Sequence, residues 1–210
     1  MDKDFWPTLY EDPFAVERIK KCVELADIKP SMNVLDVGCN KMEASKYIPT
    51  SCHYIGIDSI NGFEIDGGFN LLQKFDRILC LEVLEHLKYP RKTLESIVSH
   101  LNDEGIAIIS LPNEVSLFHR LRSLFGIVDQ ECFSESGKHL HLPSLKQAQA
   151  FLSAYLRIQK VAFYTSDGCG SRQSVVRSAI RLFPKRLLQL LADVCPSLFS
   201  RGFIFVCNKV

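Results

Sequence analysis

"NVLDVGCNKMEAS", residues 33–45, runs from a short apolar stretch rich in β-branched residues into a glycine turn and then toward a helix. Turns of this kind let a backbone come close to a nucleotide cofactor. This one holds a single glycine, Gly38, where such loops carry two or three. Asn40 can make up part of the difference, because asparagine accepts left-handed backbone at modest cost. Met42 reads as part of the first turn of the following helix, where glycine serves close packing more than ligand contact. The stretch is therefore read as an altered but intact cofactor loop, against the plainer reading of an ordinary strand-to-helix connection.

Outward from this loop, strands and helices alternate. "FAVERIKKCVELAD" (14–27) has apolar residues near helical spacing, and Pro30 closes it. A short helix is expected over Lys41 to Tyr47. "HYIGID" is a second strand ending on Asp58, and "FDRILCLEV" another. Residues 59–74 contain three glycines and little periodicity, so any element there is short. "YPRKTLESIVSHLNDEG" opens on a proline and closes on a glycine, the asymmetry of a helix, and "IAIISLPN" is the next strand. This alternation argues for a parallel sheet covered by helices on both faces. Beyond Asn113 the pattern changes. "EVSLFHRLRSLFG" and "SLKQAQAFLSAYL" read as helices, "IQKVAFYT" and "GFIFVCNK" as strands, and "SVVRSAIRLF" and "PKRLLQLLADV" as two helices split by Pro184. Strand, long insertion and strand fit an antiparallel hairpin at the sheet edge.

The chain has 210 residues, 47% hydrophobic and 23% charged, and a net charge of +1. That suits one domain with a decoration and gives no global attraction to nucleic acid. The opening "MDKDFWPTLYEDPF" lacks the apolar core of a signal peptide, and no apolar stretch reaches the roughly 18 residues needed to span a bilayer. Eight cysteines are scattered without a C-x-x-C pair. Buried single thiols in a reducing cytoplasm are the expectation, not a zinc cluster or disulfide framework. From Gly168 onward there are seven Lys/Arg and one acid, Asp193, so a basic tail follows a mildly acidic body.

In open parallel sheets, ligands bind beyond the carboxyl ends of the strands. Three such ends carry chemistry here: Asp36 to Asn40, Asp58, and "LEVLEHL" (81–87). An acid at the end of the second strand is placed to accept hydrogen bonds from ribose hydroxyls. The order "LDVGCN", "GID", "FDRILCLEVLEHL", "PRKTLESIVSHLNDEGIAIISLPN" does not match a dinucleotide fingerprint. It resembles the class I S-adenosylmethionine-dependent methyltransferases, and within them the ubiquinone-type O-methyltransferase and type 11 groups. The resemblance covers residues 33–113 well and continues more weakly to the last strand.

That resemblance implies an α/β, Rossmann-like, doubly wound, seven-stranded and mostly parallel sheet, with an antiparallel C-terminal hairpin and helical lid insertions. The implied organisation is a single domain over 1–210. It has a cofactor core at 33–113, a lid insertion at 114–143 and a basic helical insertion at 166–201. The implied cofactor is S-adenosylmethionine. Gly38 would lie under its methionine part, with Asp36 orienting the loop. Asn40 would keep the turn, and Asp58 would hold the ribose. Asp66 would sit beside the adenine, and Leu81 and Glu82 near the amino group. The implied reaction is methyl transfer to an oxygen of a small-molecule, glycan or lipid-linked acceptor, with no nucleic acid partner. The rival reading is a binding module of the same fold that acts through a partner surface.

Methyl transfer asks chiefly for alignment, and a hydroxyl nucleophile is helped by a general base. His86, His139 and His141 are the candidates. The alternation in "HLHLPS" would put the last two imidazoles on one face of an extended segment. His119 is more simply structural. Glu82, Glu85 and His86 also resemble a trio that binds magnesium in some relatives, but Glu85 and His86 capping a turn is the plainer reading, and no metal ligands are assigned. In the basic segment 172–186, Arg177, Arg181 and Lys185 recur every four residues. They read either as a solvated helix face or as a peripheral contact with phosphate or an anionic membrane.

Overall fold

The computed structural model describes residues 13–126, 139–165 and 185–210. The expected basic helix at 174–183 lies outside them, as do residues 127–138 of the expected lid. The described strands are β1 (Asn33–Val37), β2 (His53–Ile57), β3 (Phe75–Leu81), β4 (Leu101–Pro112), β5 (Leu156–Tyr164) and β6 (Gly202–Lys209). They form one sheet in the order β2-β1-β3-β4-β6-β5. The first four run parallel, and β6 lies antiparallel to both β4 and β5. The antiparallel edge expected from the sequence is thus present. The sheet has six strands among the described residues, not seven. Over 62–74, Gly62, Gly67 and Gly68 all take positive φ and no strand forms. Backbone of that kind cannot keep the extended dihedrals that a ladder needs.

Side-chain alternation divides the strands between two apolar layers. Val34, Leu79, Ile108, Ile204 and Val206 face α1 (Pro13–Ala26), which buries Ile19, Cys22, Val23 and Ala26 against them. Ile78, Cys80, Ala107, Ile109, Phe203 and Phe205 face the other way. There they meet Leu94 and Ile97 of α2 (Pro90–His100), and Ala148 and Leu152 of α4 (Leu145–Ser153). Burying a large aliphatic side chain in such a layer contributes about 1.5–3 kcal/mol. α4 starts at a capping box, in which Ser144 and Gln147 each accept from the other's backbone amide.

Two local expectations change. Glu43–Tyr47 is a 3-10 turn instead of an α-helix. The sequence "LNDEG" does not finish α2: the helix stops at His100, and β4 begins at Leu101 with Asn102–Gly105 bulged out of register against β3. Beyond β4 come α3 (Leu117–Leu124), then α5 (Lys185–Val194) and α6 (Pro196–Phe199) ahead of β6. None of the described helices is long and apolar enough to cross a membrane.

Asn113, at the end of β4, ties these last pieces together. Its side chain is buried, and its amide donates to the Ser200 carbonyl at 2.9 Å, with the Pro196 and Ser197 carbonyls at 3.2 and 3.3 Å. Its backbone amide donates to Arg201. Replacing it by alanine removes the side-chain donor to the buried Ser200 carbonyl, which costs about 2 kcal/mol. Urea denaturation of Asn113→Ala against the parent checks this, with a lower midpoint expected at unchanged slope.

Candidate active site

The carboxyl ends of β1 and β2 are stitched together through the backbone. The amides of Gly38 and Cys39 both donate to the Ile57 carbonyl, at 2.8 and 3.3 Å. The Asp58 carboxylate accepts from Asn40 N at 2.8 Å on one oxygen, and from Ile60 N at 2.9 Å on the other. Asp58 therefore braces the first loop while keeping lone pairs to spare, since an ionised carboxylate offers about four acceptor directions.

Gly38, Asn40 and Met42 take φ of 74°, 47° and 58°. All three are left-handed, so Met42 is not in the first turn of a helix as its position suggested; it precedes the 3-10 turn. At Gly38 a side chain would collide with Val83, which follows β3. Asn40 spans the turn as expected, and its Oδ1 is buried without a hydrogen-bond partner.

Asp36 is buried on the α1 side of β1 and accepts from the Tyr54 hydroxyl at 2.6 Å. Burial pushes its carboxyl up to about 7, against the Tyr54 hydrogen bond, with the neighbouring charge of Asp58 adding to the rise. The Cys39 thiol is likewise pushed up to about 12 by burial, so it is not poised as a thiolate. Tyr54 was not singled out in the sequence; it stands two residues before Gly56, the register partner of Asp36, on the same face, and that register is set by the sheet.

Glu82 takes φ of 58° just past β3. Its carboxylate accepts from the Tyr164 hydroxyl at 3.2 Å and the Ser110 hydroxyl at 3.3 Å, and lies 3.7 Å from the Arg18 guanidinium. Arg18 and Tyr164 come from α1 and β5, and no local sequence signal marks them as partners. Leu81 is the last residue of β3 and is partly buried. Asp66 is committed elsewhere. Its two oxygens accept from the amides of Lys88 and Tyr89, seating the start of α2.

The three candidate histidines gather around the turn 84–87. The amides of Leu140 and His141 both donate to the Glu85 carbonyl, at 2.7 and 3.1 Å, pinning that segment to the turn. His141 Nε2 lies 2.9 Å from the Leu87 carbonyl, so it donates there and acts as a brace. His139 Nδ1 meets Glu114 at 2.8 Å, and its ring stands edge-on to His86 with centroids 4.7 Å apart. The other Glu114 oxygen lies 3.2 Å from His119 Nε2, while His119 Nδ1 faces the Ser116 hydroxyl at 2.8 Å. The His139 hydrogen bond holds Glu114 below its ordinary range, despite burial. Glu114 was overlooked in the sequence, although it follows β4 as Asp58 follows β2.

Residues 12–165 match the methyltransferase-domain family. The chain belongs to that family. Class I members of it use S-adenosylmethionine as methyl donor. This methyltransferase-domain chain is 26% identical over 117 residues to the ubiquinone biosynthesis O-methyltransferase of Rickettsia typhi, a match covering 56% of the chain and 37% of that relative. The chain thus spans little more than a third of the curated relative it matches. Among solved structures it resembles the N-methyltransferase NodS of Bradyrhizobium japonicum bound to S-adenosyl-L-homocysteine. There the TM-score is 0.58 at 14% identity, over 99% of this chain and 93% of that one. It also resembles a SAM-dependent methyltransferase of Aquifex aeolicus, with a TM-score of 0.57 at 15% identity, over 96% and 95% of the two chains. At these identities the likeness is one of fold.

Two outcomes follow for this family member. Folded Asp36 keeps its proton up to about pH 7, whereas the unfolded carboxyl gives it up near 3.8. Its contribution to stability is therefore full below the unfolded value and is lost as pH rises to about 7. In denaturation curves between pH 4.5 and 8, Asp36→Asn should lose less stability across that window than the parent. Met42→Gly removes a side chain from left-handed backbone and should raise stability by up to about 1 kcal/mol, read from urea midpoints.

Proposed function

We propose that the protein transfers a methyl group from S-adenosylmethionine to an oxygen of a small-molecule, glycan or lipid-linked acceptor. The observation that carries the cofactor part is the stitched double loop. Three successive left-handed positions at 38, 40 and 42 open the backbone after β1. The Asp58 carboxylate stands beside them at the end of β2, engaged by Asn40 and Ile60 with acceptor capacity left for ribose hydroxyls. The buried, unpartnered Oδ1 of Asn40 adds an acceptor for a ligand's hydrogen-bond donor. These residues fit the cofactor, whose sulfonium supplies an electrophilic methyl group when it is bound.

The chain's own contribution is alignment. Asp58 fixes the loop and the sugar, and Asp36 with Tyr54 stiffens the strand behind it. His139, oriented by Glu114, is the best placed general base, because its Nδ1–H bond to the carboxylate leaves Nε2 with a lone pair. His141, spent on the Leu87 carbonyl, is a positioning residue. Oxygen as the acceptor atom is supported by the name of the Rickettsia typhi relative.

A lipid-linked acceptor is favoured by exposed Leu121, Leu124 and Phe125 at α3, together with Leu187, Leu190 and Val194 on α5. α3 begins directly after the Glu114 site, and both helices adjoin α6. Apolar surface in such a position suits an acyl or prenyl chain better than water.

Isothermal titration with S-adenosylmethionine and its demethylated product is the test. Micromolar binding is expected, weakened at least about tenfold in Asp58→Ala, since both the brace and the ribose acceptor are removed. Absence of binding by the parent would leave the partner-surface reading in its place.

A further inference from the structure

We propose that Glu85, His86 and His139 form a binding site for one divalent transition-metal ion. Each offers one donor atom, and these atoms lie within 4.8 Å of one another. The donors come from two places in the chain, but the pair of hydrogen bonds from Leu140 and His141 to the Glu85 carbonyl fixes one against the other.

Three observations point to a cation. Glu85 is 1% exposed, and neither carboxylate oxygen has a hydrogen-bond partner; the nearest imidazole nitrogen, on His86, is 4.0 Å away. A buried carboxylate left in that state is costly, and a bound cation removes the cost. Next, His139 gives Nδ1 to Glu114 at 2.8 Å, which fixes the tautomer and leaves the Nε2 lone pair to ligate. A carboxylate behind an imidazole in this way is the usual outer support of a metal-bound histidine. Last, two imidazoles and one carboxylate select zinc, iron, cobalt or manganese over magnesium, which prefers six oxygens.

The trio Glu82, Glu85 and His86, which resembles a magnesium set in some relatives, does not fit this chain. Glu82 is spent on Tyr164, Ser110 and Arg18. His139 takes its place, and the donor set becomes nitrogen-rich.

A tetrahedral ion with bonds of about 2.0–2.1 Å spaces its ligands about 3.4 Å apart, so the side chains swing inward by about an ångström. Three protein ligands leave a position open. At the turn after β3 that position would hold an acceptor oxygen, which the ion would activate in place of His139, whose Nε2 lone pair it occupies; this last link rests on the methyl-transfer reading, whereas the ion's binding does not.

The test uses full-length protein dialysed against a chelator, then titrated with zinc by calorimetry and with cobalt by visible absorption. One ion per chain is expected, at micromolar affinity or tighter, with cobalt bands marking nitrogen ligation. His139→Ala and the isosteric Glu85→Gln should each weaken zinc at least about 100-fold, and Glu114→Gln about tenfold. Glu82→Gln should leave zinc affinity unchanged. Circular dichroism melts without metal establish that each variant is folded, and zinc should raise the melting temperature of the parent and of Glu82→Gln but not that of His139→Ala or Glu85→Gln. Unaltered zinc affinity in folded His139→Ala, loss on Glu82→Gln, or no binding by the parent would each overturn the site. Binding of the demethylated cofactor to the same stripped protein reports separately on the methyl-transfer reading.

Discussion

One carbonyl and one carboxylate, at the ends of adjacent strands, hold the functional end of this molecule in shape. Ile57 O takes the amides of Gly38 and Cys39, and Asp58 takes that of Asn40. Three consecutive amides of one loop are thereby aimed at the neighbouring strand end. The chain can do this only if it turns sharply after Val37, which is why left-handed backbone recurs at 38, 40 and 42. Glycine is demanded at the first of these by Val83 as well as by φ. At the other two the demand is conformational alone, so Asn40 and Met42 are tolerated at a cost in strain.

Beyond β3 the chain sorts two glutamates three positions apart into opposite environments. Glu82 is compensated by Arg18 and two hydroxyls, whereas Glu85 is buried with no hydrogen-bond partner on either carboxylate oxygen. Burial, reinforced by the charge of Glu82, pushes the Glu85 carboxyl well above its ordinary range. Around it, Glu114 orients two imidazoles at once, His139 and His119. The histidines are thus held by carboxylates or carbonyls with their rings directed, which is what a reactive or ligating imidazole needs.

Much of the fold was legible. The strands at 33–37, 53–57, 75–81 and 202–209 fall where continuous apolar runs put them, because buried strands leave that signature whatever their neighbours. The start of β4 was misplaced, since Leu101 to Gly105 reads equally well as a polar helix end and as a bulge; register against Phe75 decides, and register is tertiary. The seventh strand was inferred from resemblance, while the glycines at 62, 67 and 68 argued the other way. At the site, Asp36, Asp58 and Glu82 were found at strand ends and Glu114 was not, and the partners that Glu82 draws from distant elements were missed. Arg18 and Tyr164 act on Glu82 only because α1 and β5 are packed beside the end of β3, and nothing near them in sequence records it.

The position of β6 has a consequence for how the chain acquires this arrangement. The last strand in sequence lies between β4 and β5, so neither can complete its ladder before it. During synthesis β4 waits with a bare, apolar margin, and Tyr164 has no route to Glu82 until Gly202–Lys209 emerges from the ribosome. Completion of this side of the sheet is therefore deferred until Gly202–Lys209 has been made, and a nascent chain halted before Gly202 would present an open sheet edge to chaperones and to other copies of itself.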